Sequence, residues 1–204
     1  MAISLQKGQR VSLEKSDGSS LKKVCFGVNW GMIEKKSGWF GRKKKEAVDL
    51  DASAAIFDEK KELIDIVYFG KLISDCRGII HSGDDLTGDE DGDDGLDNEV
   101  IEVDLSLIGQ SADQVAFLLN SYKGQDFKDI PFASIRIYEG TPERVVNLFA
   151  TYDVANDIKF AGSVSMIMGK LYIHQNNWKF HAIGDPTPDR DLKETIITVG
   201  DQYI

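Results

Sequence analysis

Short segments in which apolar and polar side chains alternate recur along the chain, and they constrain its fold more than any other feature. The period is two residues at 24–30, 48–57, 101–107, 134–138 and 178–183. This period is typical of β-strands with one buried face, and turn residues separate the segments. Continuous apolar runs, which predict strands buried on both faces, occur at 64–69, 115–119 and 145–150.

Helical periodicity is scarce. Only residues 189–198 fit a short helix, and the β-branched residues near the end of this segment disfavour it. Many short strands in 204 residues predict an all-β fold, a two-sheet antiparallel β-sandwich with at most one or two short helices. The length fits a single domain that covers residues 1–204.

The composition predicts a cytoplasmic protein without membrane insertion. The longest apolar runs are far shorter than the ~18 residues that span a bilayer. The first eleven residues, MAISLQKGQRV, are too polar for a secretory signal. Two cysteines, Cys25 and Cys76, do not make a disulfide framework.

The negative charge is concentrated in one segment. The net charge is −10, and no Lys or Arg lies between Gly78 and Tyr122, where 12 of the 34 acidic residues fall. The rest of the chain has 22 acids against 24 bases. This distribution argues against nucleic acid as a partner and indicates a local cation site.

Residues 81–99 read HSGDDLTGDEDGDDGLDNE. Such crowded carboxylates repel one another by roughly 1 kcal/mol per close pair even in a water-like dielectric. Calcium takes six to eight oxygen ligands, and the four glycines let the backbone bend so that several oxygens converge. Zinc prefers Cys and His, and only His81 is near. Magnesium stays an alternative, although it usually keeps several waters.

The acidic segment does not fit an EF-hand. Counting from Asp89, position six is Asp94 where glycine is needed, and position twelve is Val100 where glutamate is needed. The following residues, 100–107, are predicted as a strand rather than a helix. The pattern therefore indicates calcium-binding loops at an end of a β-sandwich, with ligands drawn from two or three loops.

A second source of ligands is the segment 48–57. Asp49 and Asp51 are two residues apart in a strand pattern, so both side chains point to the same face. Val48, Leu50 and Ala52 point to the core. The two carboxylates are predicted either to share a metal with the acidic segment or to decorate a solvent-facing strand.

Several motifs resemble the TerD family of bacterial calcium-binding stress proteins. They run in order over about 180 residues: Leu5-Gln6-Lys7-Gly8, Gly27-Val28-Asn29-Trp30, Asp49-Leu50-Asp51-Ala52-Ser53, His81-Ser82-Gly83-Asp84-Asp85-Leu86-Thr87-Gly88, Asp91-Gly92-Asp93-Asp94, Gly169-Lys170-Leu171-Tyr172 and Trp178-Lys179-Phe180-His181-Ala182-Ile183-Gly184. The Asp-Leu-Asp-Ala-Ser and Gly-Asp-Asp-x-Thr-Gly segments are specific in combination.

The resemblance implies a non-catalytic, calcium-dependent interaction module that acts in tellurium resistance and the stress response. It implies two Ca²⁺ ions, and as partners other Ter-family or membrane-associated stress proteins. Carried over by motif, the implied metal ligands are Asp49, Asp51, Asp84, Asp85, Asp91, Asp93, Asp94 and Glu99.

The chain departs from the family pattern at three places. Gly31 stands where the family often has Asp after the tryptophan, and Asp85 stands where it usually has Asn. Four residues, 95–98, precede Glu99. This spacing leaves open whether Glu99 or Asp97 closes the site.

Two alternative functions are open at this level. One is a metal- or thiol-dependent enzyme that acts on tellurite or another oxyanion, with Cys76 beside Arg77 as the thiol. The other is an adaptor for anionic surfaces that uses the basic loop 35–45, where six Lys and Arg residues surround Trp39 and Phe40.

Overall fold

The computed structural model describes residues 3–4, 6–15, 18–37, 42–108, 112–153 and 158–204. Six strands form the first sheet, in the spatial order β1 (Ile3–Ser4), β12 (Arg144–Asp153), β11 (Ala133–Thr141), β3 (Lys23–Trp30), β9 (Glu99–Asp104) and β8 (Ile79–His81). Six more form the second, in the order β2 (Arg10–Ser12), β14 (Asn177–Thr187), β13 (Ser165–His174), β10 (Gln114–Ser121), β6 (Leu50–Phe57) and β7 (Leu63–Val67).

All pairings within the two sheets are antiparallel except that of β1 with β12. Strands β4 (Ile33–Ser37) and β5 (Arg42–Glu46) form a separate hairpin. The helices are α1 (Leu105–Ile108) and α2 (Leu192–Gln202), and single 3₁₀ turns lie at Phe127–Asp129 and Ile158–Phe160. The predicted β-rich, two-sheet fold with two short helices is confirmed.

The apolar positions of the alternating segments meet between the two sheets. Phe26 of β3 stacks on Phe117 of β10 with ring centroids 3.8 Å apart, and Phe180 of β14 packs against Phe26 at 5.3 Å. Burying each aromatic ring stabilises the fold by about 2–3 kcal/mol. One continuous hydrophobic core therefore holds the two sheets face to face.

Helix α2 covers the outer face of the second sheet. Val199 packs into an apolar cluster with residues of β6 and β10 such as Ala55 and Ala116. The Asp191 side chain caps the helix by accepting a hydrogen bond from the Glu194 N–H at 2.9 Å. This cap and the buried apolar face outweigh the weak helix propensity of the β-branched residues.

Two local predictions were wrong. Residues 101–107 do not form one strand, because β9 ends at Asp104 and the chain turns into α1. The runs 64–69 and 145–150 are not buried on both faces, since Ile64 is 42% exposed on an edge strand and Val146 is 57% exposed. Only the run 115–119, inside the central strand β10, is buried throughout.

Candidate metal centre

The acidic segment 81–99 connects β8 to β9 across one end of the two sheets. Backbone hydrogen bonds fix it on both sides: Val48 N–H donates to the Thr87 carbonyl at 3.0 Å, and Asp89 N–H donates to the Trp30 carbonyl at 2.9 Å. The segment is thereby attached to the end of β3 and to the residues just before β6. This placement brings the loop to Asp49 and Asp51.

Asp49, Asp51 and Asp84 form the first carboxylate group. One carboxylate oxygen from each lies within 4.8 Å of the others. Two oxygens on the same Ca²⁺, each about 2.3–2.6 Å from it, can be at most about 5 Å apart. The spacing therefore suits a shared cation, and the two aspartates of the 48–57 segment point to the same place as predicted.

The burial of this first group also suits a cation. Asp49 is 2% exposed and Asp51 is 6% exposed, whereas Asp84 faces solvent. The Oδ1 atom of Asp49 is buried, and among the described residues it has no hydrogen-bond partner. A buried oxygen without a hydrogen bond costs folding free energy, so this donor set fits a hard divalent ion bound from the open side.

Burial, and after it the charges of neighbouring carboxylates, raise the pKa of two members of the first group. Burial, followed by the negative charges of Glu99, Asp49 and Asp84, raises the pKa of Asp51 to about 7. Burial and then Asp49 raise the pKa of the Asp84 carboxyl. A bound cation would reverse this crowding and favour the ionised forms.

A lysine ammonium reaches into the same group. The Lys123 Nζ lies 3.1 Å from Asp49 Oδ2 and donates to the Leu86 carbonyl at 3.2 Å. The Lys123 side chain is 47% exposed, so it can move away into solvent. The Lys123 ammonium would therefore compete with any cation that binds at this position. The sequence analysis did not predict a lysine here.

Asp89, Asp93 and Asp94 form the second carboxylate group, again with oxygens within 4.8 Å of one another. The Asn29 Nδ2 donates to Asp93 Oδ1 at 2.8 Å, and the buried Oδ1 of Asn29 has no hydrogen-bond partner in the part of the chain that the structure describes. Burial raises the pKa of the Asp89 carboxyl, although hydrogen bonds from Asn98 and the Asp94 backbone oppose it. Asp89 was not among the predicted ligands, but the structure brings its carboxylate into this group.

Gly31 precedes the β4–β5 hairpin and pairs with Asp89 through a short β-bridge. A Cβ atom at position 31 would lie 2.4 Å from a ring carbon of Phe132. The aromatic ring therefore occupies the space that a larger residue would need. The position of Phe132 is thus consistent with a glycine at position 31, where the family often has Asp.

Asp85 lies outside both carboxylate groups and organises the loop. Its Oδ1 accepts hydrogen bonds from the Thr87 N–H and hydroxyl, both at 2.8 Å, and its Oδ2 accepts one from Asn98. Although burial raises the pKa of the Asp85 carboxyl, these hydrogen bonds outweigh it and hold the pKa below its usual range.

Glu99 also lies outside the two groups and joins the sheets. Its Oε2 accepts a hydrogen bond from the Ala52 N–H of β6 at 2.7 Å, and its Oε1 accepts one from the Asp85 N–H at 3.2 Å. The His81 ring sits beside it and contacts the Ala52 carbonyl. Burial raises the pKa of the Glu99 carboxyl, and His81 opposes this. Through these two backbone contacts, Glu99 fixes the position of β6 next to Asp51 and of the loop at Asp85.

The remaining predicted ligand, Asp91, and the alternative Asp97 are paired with basic residues. Asp91 is exposed and lies 2.6 Å from the Lys45 Nζ. The Asp97 side chain is 1% exposed and accepts a hydrogen bond from Arg136 Nε at 2.7 Å. The structure places neither residue in a carboxylate group.

The two cysteines differ in environment. Cys25 is buried on the outer face of the first sheet, where burial and then Glu102 raise the pKa of its thiol to about 12. Cys76 is half-buried, and its Sγ lies 3.4 Å from the Ser74 hydroxyl. Of the two, Cys76 is the accessible thiol.

The basic loop 35–45 is partly described. In the β4–β5 hairpin, Lys35 lies opposite Lys44, and the Lys35 Nζ pairs with Glu46 at 2.6 Å. Trp39 and Phe40, which the adaptor interpretation needs at the tip, lie outside the described residues. In the described part of the chain, every helix is too short or too polar to cross a bilayer.

Comparisons with known proteins agree with the fold and with the motifs. The family model for the TerD domain matches residues 1–197. The chain is 35% identical over 195 residues to tellurium resistance protein TerZ from Serratia marcescens, covering 94% of each protein. It is 35% identical over 208 residues to stress response protein SCP2 from Bacillus subtilis (strain 168), covering 96% of this chain and 98% of that protein.

A solved structure supports the same fold. The crystal structure of a homologue of telluride resistance protein (TerD) from Streptomyces coelicolor A3(2) superposes with a TM-score of 0.66. The match covers 89% of this chain and 98% of that one at 18% identity. Together with the sequence motifs and the full-length family match, this likeness shows that the chain belongs to the TerD family, which includes tellurium resistance and stress response proteins.

Proposed function

We propose that this protein is a non-catalytic, calcium-dependent interaction module of the cytoplasmic stress response. Two Ca²⁺ ions bind at the end of the sandwich, one at Asp49, Asp51 and Asp84 and one at Asp89, Asp93 and Asp94. The observation that carries the proposal is the first carboxylate group, with its two buried aspartates and the unpartnered Asp49 Oδ1. Calcium fits because all the proposed ligands are carboxylate oxygens, contributed by the β6 region and by the acidic loop.

Ion binding would cancel the repulsion between the clustered carboxylates and stabilise the loop by mass action. The output is then the shape and charge of this loop surface. Partner proteins, by our proposal other Ter-family or membrane-associated stress proteins, would recognise the calcium-bound form. Relatives such as TerZ are named for tellurium resistance. In this protein, such resistance would follow from those interactions rather than from a reaction with the tellurium compound.

Calorimetric titration of the chelator-treated, desalted protein tests the proposal. We expect two Ca²⁺ ions to bind per chain, with Mg²⁺ at the same concentration giving weaker binding. If the heat measured on adding Ca²⁺ is no larger than the heat of diluting the Ca²⁺ solution into buffer, the proposal is contradicted. A parallel tellurite-reduction assay tests the enzymatic alternative, since turnover lost in Cys76→Ala would favour a thiol-dependent enzyme.

Replacing the competing lysine is expected to tighten calcium binding. In Lys123→Gln the ammonium beside Asp49 disappears, and one charge interaction of about 1 kcal/mol at a half-exposed site corresponds to roughly fivefold in affinity. Calorimetry on both proteins measures the difference. The matched control is Lys128→Gln, because Lys128 pairs with Asp126 instead. Equal or weaker binding by Lys123→Gln would show that Lys123 does not compete with the ion.

A further inference from the structure

Three basic side chains lie side by side on the second sheet, away from the metal centre. Arg10 of β2 is directly opposite His181 of β14, and His181 is directly opposite Lys170 of β13. Residues directly opposite one another on antiparallel strands have Cβ atoms about 5 Å apart on the same face. The sheet therefore presents a row of three basic side chains, which we call the basic row.

The basic row is on the outer face of the sheet, beside α2. The strand neighbours Leu171 and Phe180 point into the core between the sheets, so Lys170 and His181 point outward. Ile183, two residues after His181, packs under α2. The row thus continues the face that α2 covers, just beyond the last turn of the helix.

A cavity of about 270 Å³ opens over the basic row. It is lined by the three basic residues, by Tyr172 and Ile183, and by the last turn of α2. Its volume is that of roughly nine water molecules at about 30 Å³ each, which is ample for a phosphate group. None of the described residues that line it carries a carboxylate side chain.

The positive charges of the row are not neutralised within the described chain. Lys170 Nζ donates to Gln114 Oε1 at 2.6 Å and to the Tyr203 carbonyl, both uncharged acceptors. Arg10 is exposed, and among the described residues its guanidinium has neither an ion pair nor a hydrogen bond. Like charges directly opposite one another destabilise a sheet, so the row costs stability unless an anion joins it.

The acids near the row are engaged elsewhere or too few to balance it. Asp185 pairs with Lys7 and accepts a hydrogen bond from the Tyr203 hydroxyl at 3.2 Å. Asp113 raises the pKa of Lys170, but burial and then the charges of Lys61 and Arg10 outweigh it and lower that pKa. Burial, Arg10 and Lys170 likewise lower the pKa of His181 against the opposing charge of Asp185.

A purely structural role accounts for only one member of the row. Lys170 stabilises the carboxyl end of α2, where the helix dipole places about half a negative charge. That contact does not explain why Arg10 and His181 face the same cavity. The half charge is also smaller than the two or three positive charges that surround the cavity.

We propose that this cavity binds a phosphate group, held by Arg10, Lys170 and His181. An arginine fork offers two parallel donors to phosphate oxygens, and the lysine and the protonated histidine add charge-assisted donors from the neighbouring strands. The ligand is either free phosphate or the phosphate of a small monoester. The site uses none of the aspartates of the metal centre, so it does not depend on the proposed calcium binding.

NMR titration of the chelator-treated, desalted protein with inorganic phosphate tests this site. We expect saturable shifts at Arg10, Lys170 and His181, and a rise in the pKa of His181, because a bound anion favours the imidazolium. A second titration with phenyl phosphate distinguishes the sources: tighter binding than phosphate assigns the site to monoesters, and weaker binding assigns it to the free ion. Sodium chloride at equal ionic strength should give no saturable shift.

Arg10→Gln is the decisive variant, because the Arg10 side chain is exposed and makes no hydrogen bond or ion pair to any described residue. We expect it to weaken phosphate binding at least tenfold. Arg190→Gln removes the same charge at the other end of α2 and should leave binding unchanged. Absence of saturable shifts at the basic row, or equal weakening by the two variants, would overturn the proposal.

Discussion

The Asp51→Asn protein is expected to lose the part of the calcium-induced rise in melting temperature that comes from the first carboxylate group. At a Ca²⁺ concentration 100 times the dissociation constant, one bound ion stabilises a protein by about 2.7 kcal/mol. For a chain of about 200 residues this corresponds to roughly 5–11 °C. The amide keeps the shape of Asp51 but removes one charged ligand from the first carboxylate group.

The same substitution is expected to stabilise the metal-free protein at pH 7.5. The pKa of Asp51 is raised from 3.8 to about 7, so keeping this buried carboxylate ionised costs folding free energy. Between pH 4 and pH 7, the folded metal-free protein therefore keeps a proton on Asp51 that the unfolded protein has released. The Asp51 contribution to the stability of the metal-free protein therefore falls as the pH rises from about 4 to about 7.

Thermal melts with chelator at pH 5 and pH 7.5 measure this effect. We expect Asp51→Asn to gain roughly 1–2 kcal/mol over the unsubstituted protein at pH 7.5 and about a third of that gain at pH 5. Asp201→Asn is the control, because Asp201 is an exposed acid outside the loop. A full calcium response in Asp51→Asn would remove Asp51 from the ligand set.

Gly88→Ala is expected to destabilise the protein by about 2–4 kcal/mol, or roughly 5–15 °C in a thermal melt. Gly88 has φ +73°, and an added Cβ would lie 2.5 Å from Trp30 Cδ1. The indole is fully buried, and its Nε1 donates to the Val48 carbonyl at 2.9 Å. The ring cannot move aside without breaking the contact that holds the start of β6.

Gly92→Ala separates backbone strain from this clash. Gly92 has φ +99°, but an added Cβ there meets nothing within 4 Å, so only the backbone strain of about 1–2 kcal/mol applies. Gly88→Ala should also weaken calcium binding, since the Gly88 N–H donates to Asp85 Oδ1. Similar melting temperatures for the two variants would contradict the packing of Trp30 against the loop.

The alternation of side chains predicted several of the strands that build the core, whereas β10 was predicted from a continuous apolar run and β13 was not predicted. Phe26 and Phe180 lie in alternating segments, and both point between the sheets. Helix α2 was harder to predict, because what stabilises it is a cap at Asp191 and an apolar face packed on β6 and β10. Tertiary burial of this kind leaves only a faint local signal.

Local sequence also underdetermined the candidate metal site. The two-residue spacing predicted that Asp49 and Asp51 share a face, and they do. Some aspartates of the loop direct their carboxylates to a common point, whereas others, such as Asp85, accept hydrogen bonds from the loop backbone. Residue spacing alone does not distinguish these two kinds. Lys123 reaches the site from a turn far along the chain, which no local motif reveals. The alternation around His181 did point to an outward face, but only strand register placed Arg10 and Lys170 beside it.

The most direct test of the calcium account is a crystal structure grown with Ca²⁺, with anomalous scattering to locate the ions. We predict one calcium peak coordinated by Asp49, Asp51 and Asp84, with oxygens about 2.3–2.6 Å from it, and a second at Asp89, Asp93 and Asp94. The Lys123 ammonium should then have left Asp49. If neither carboxylate group shows a calcium peak and Lys123 is still paired with Asp49, the proposed calcium binding is contradicted.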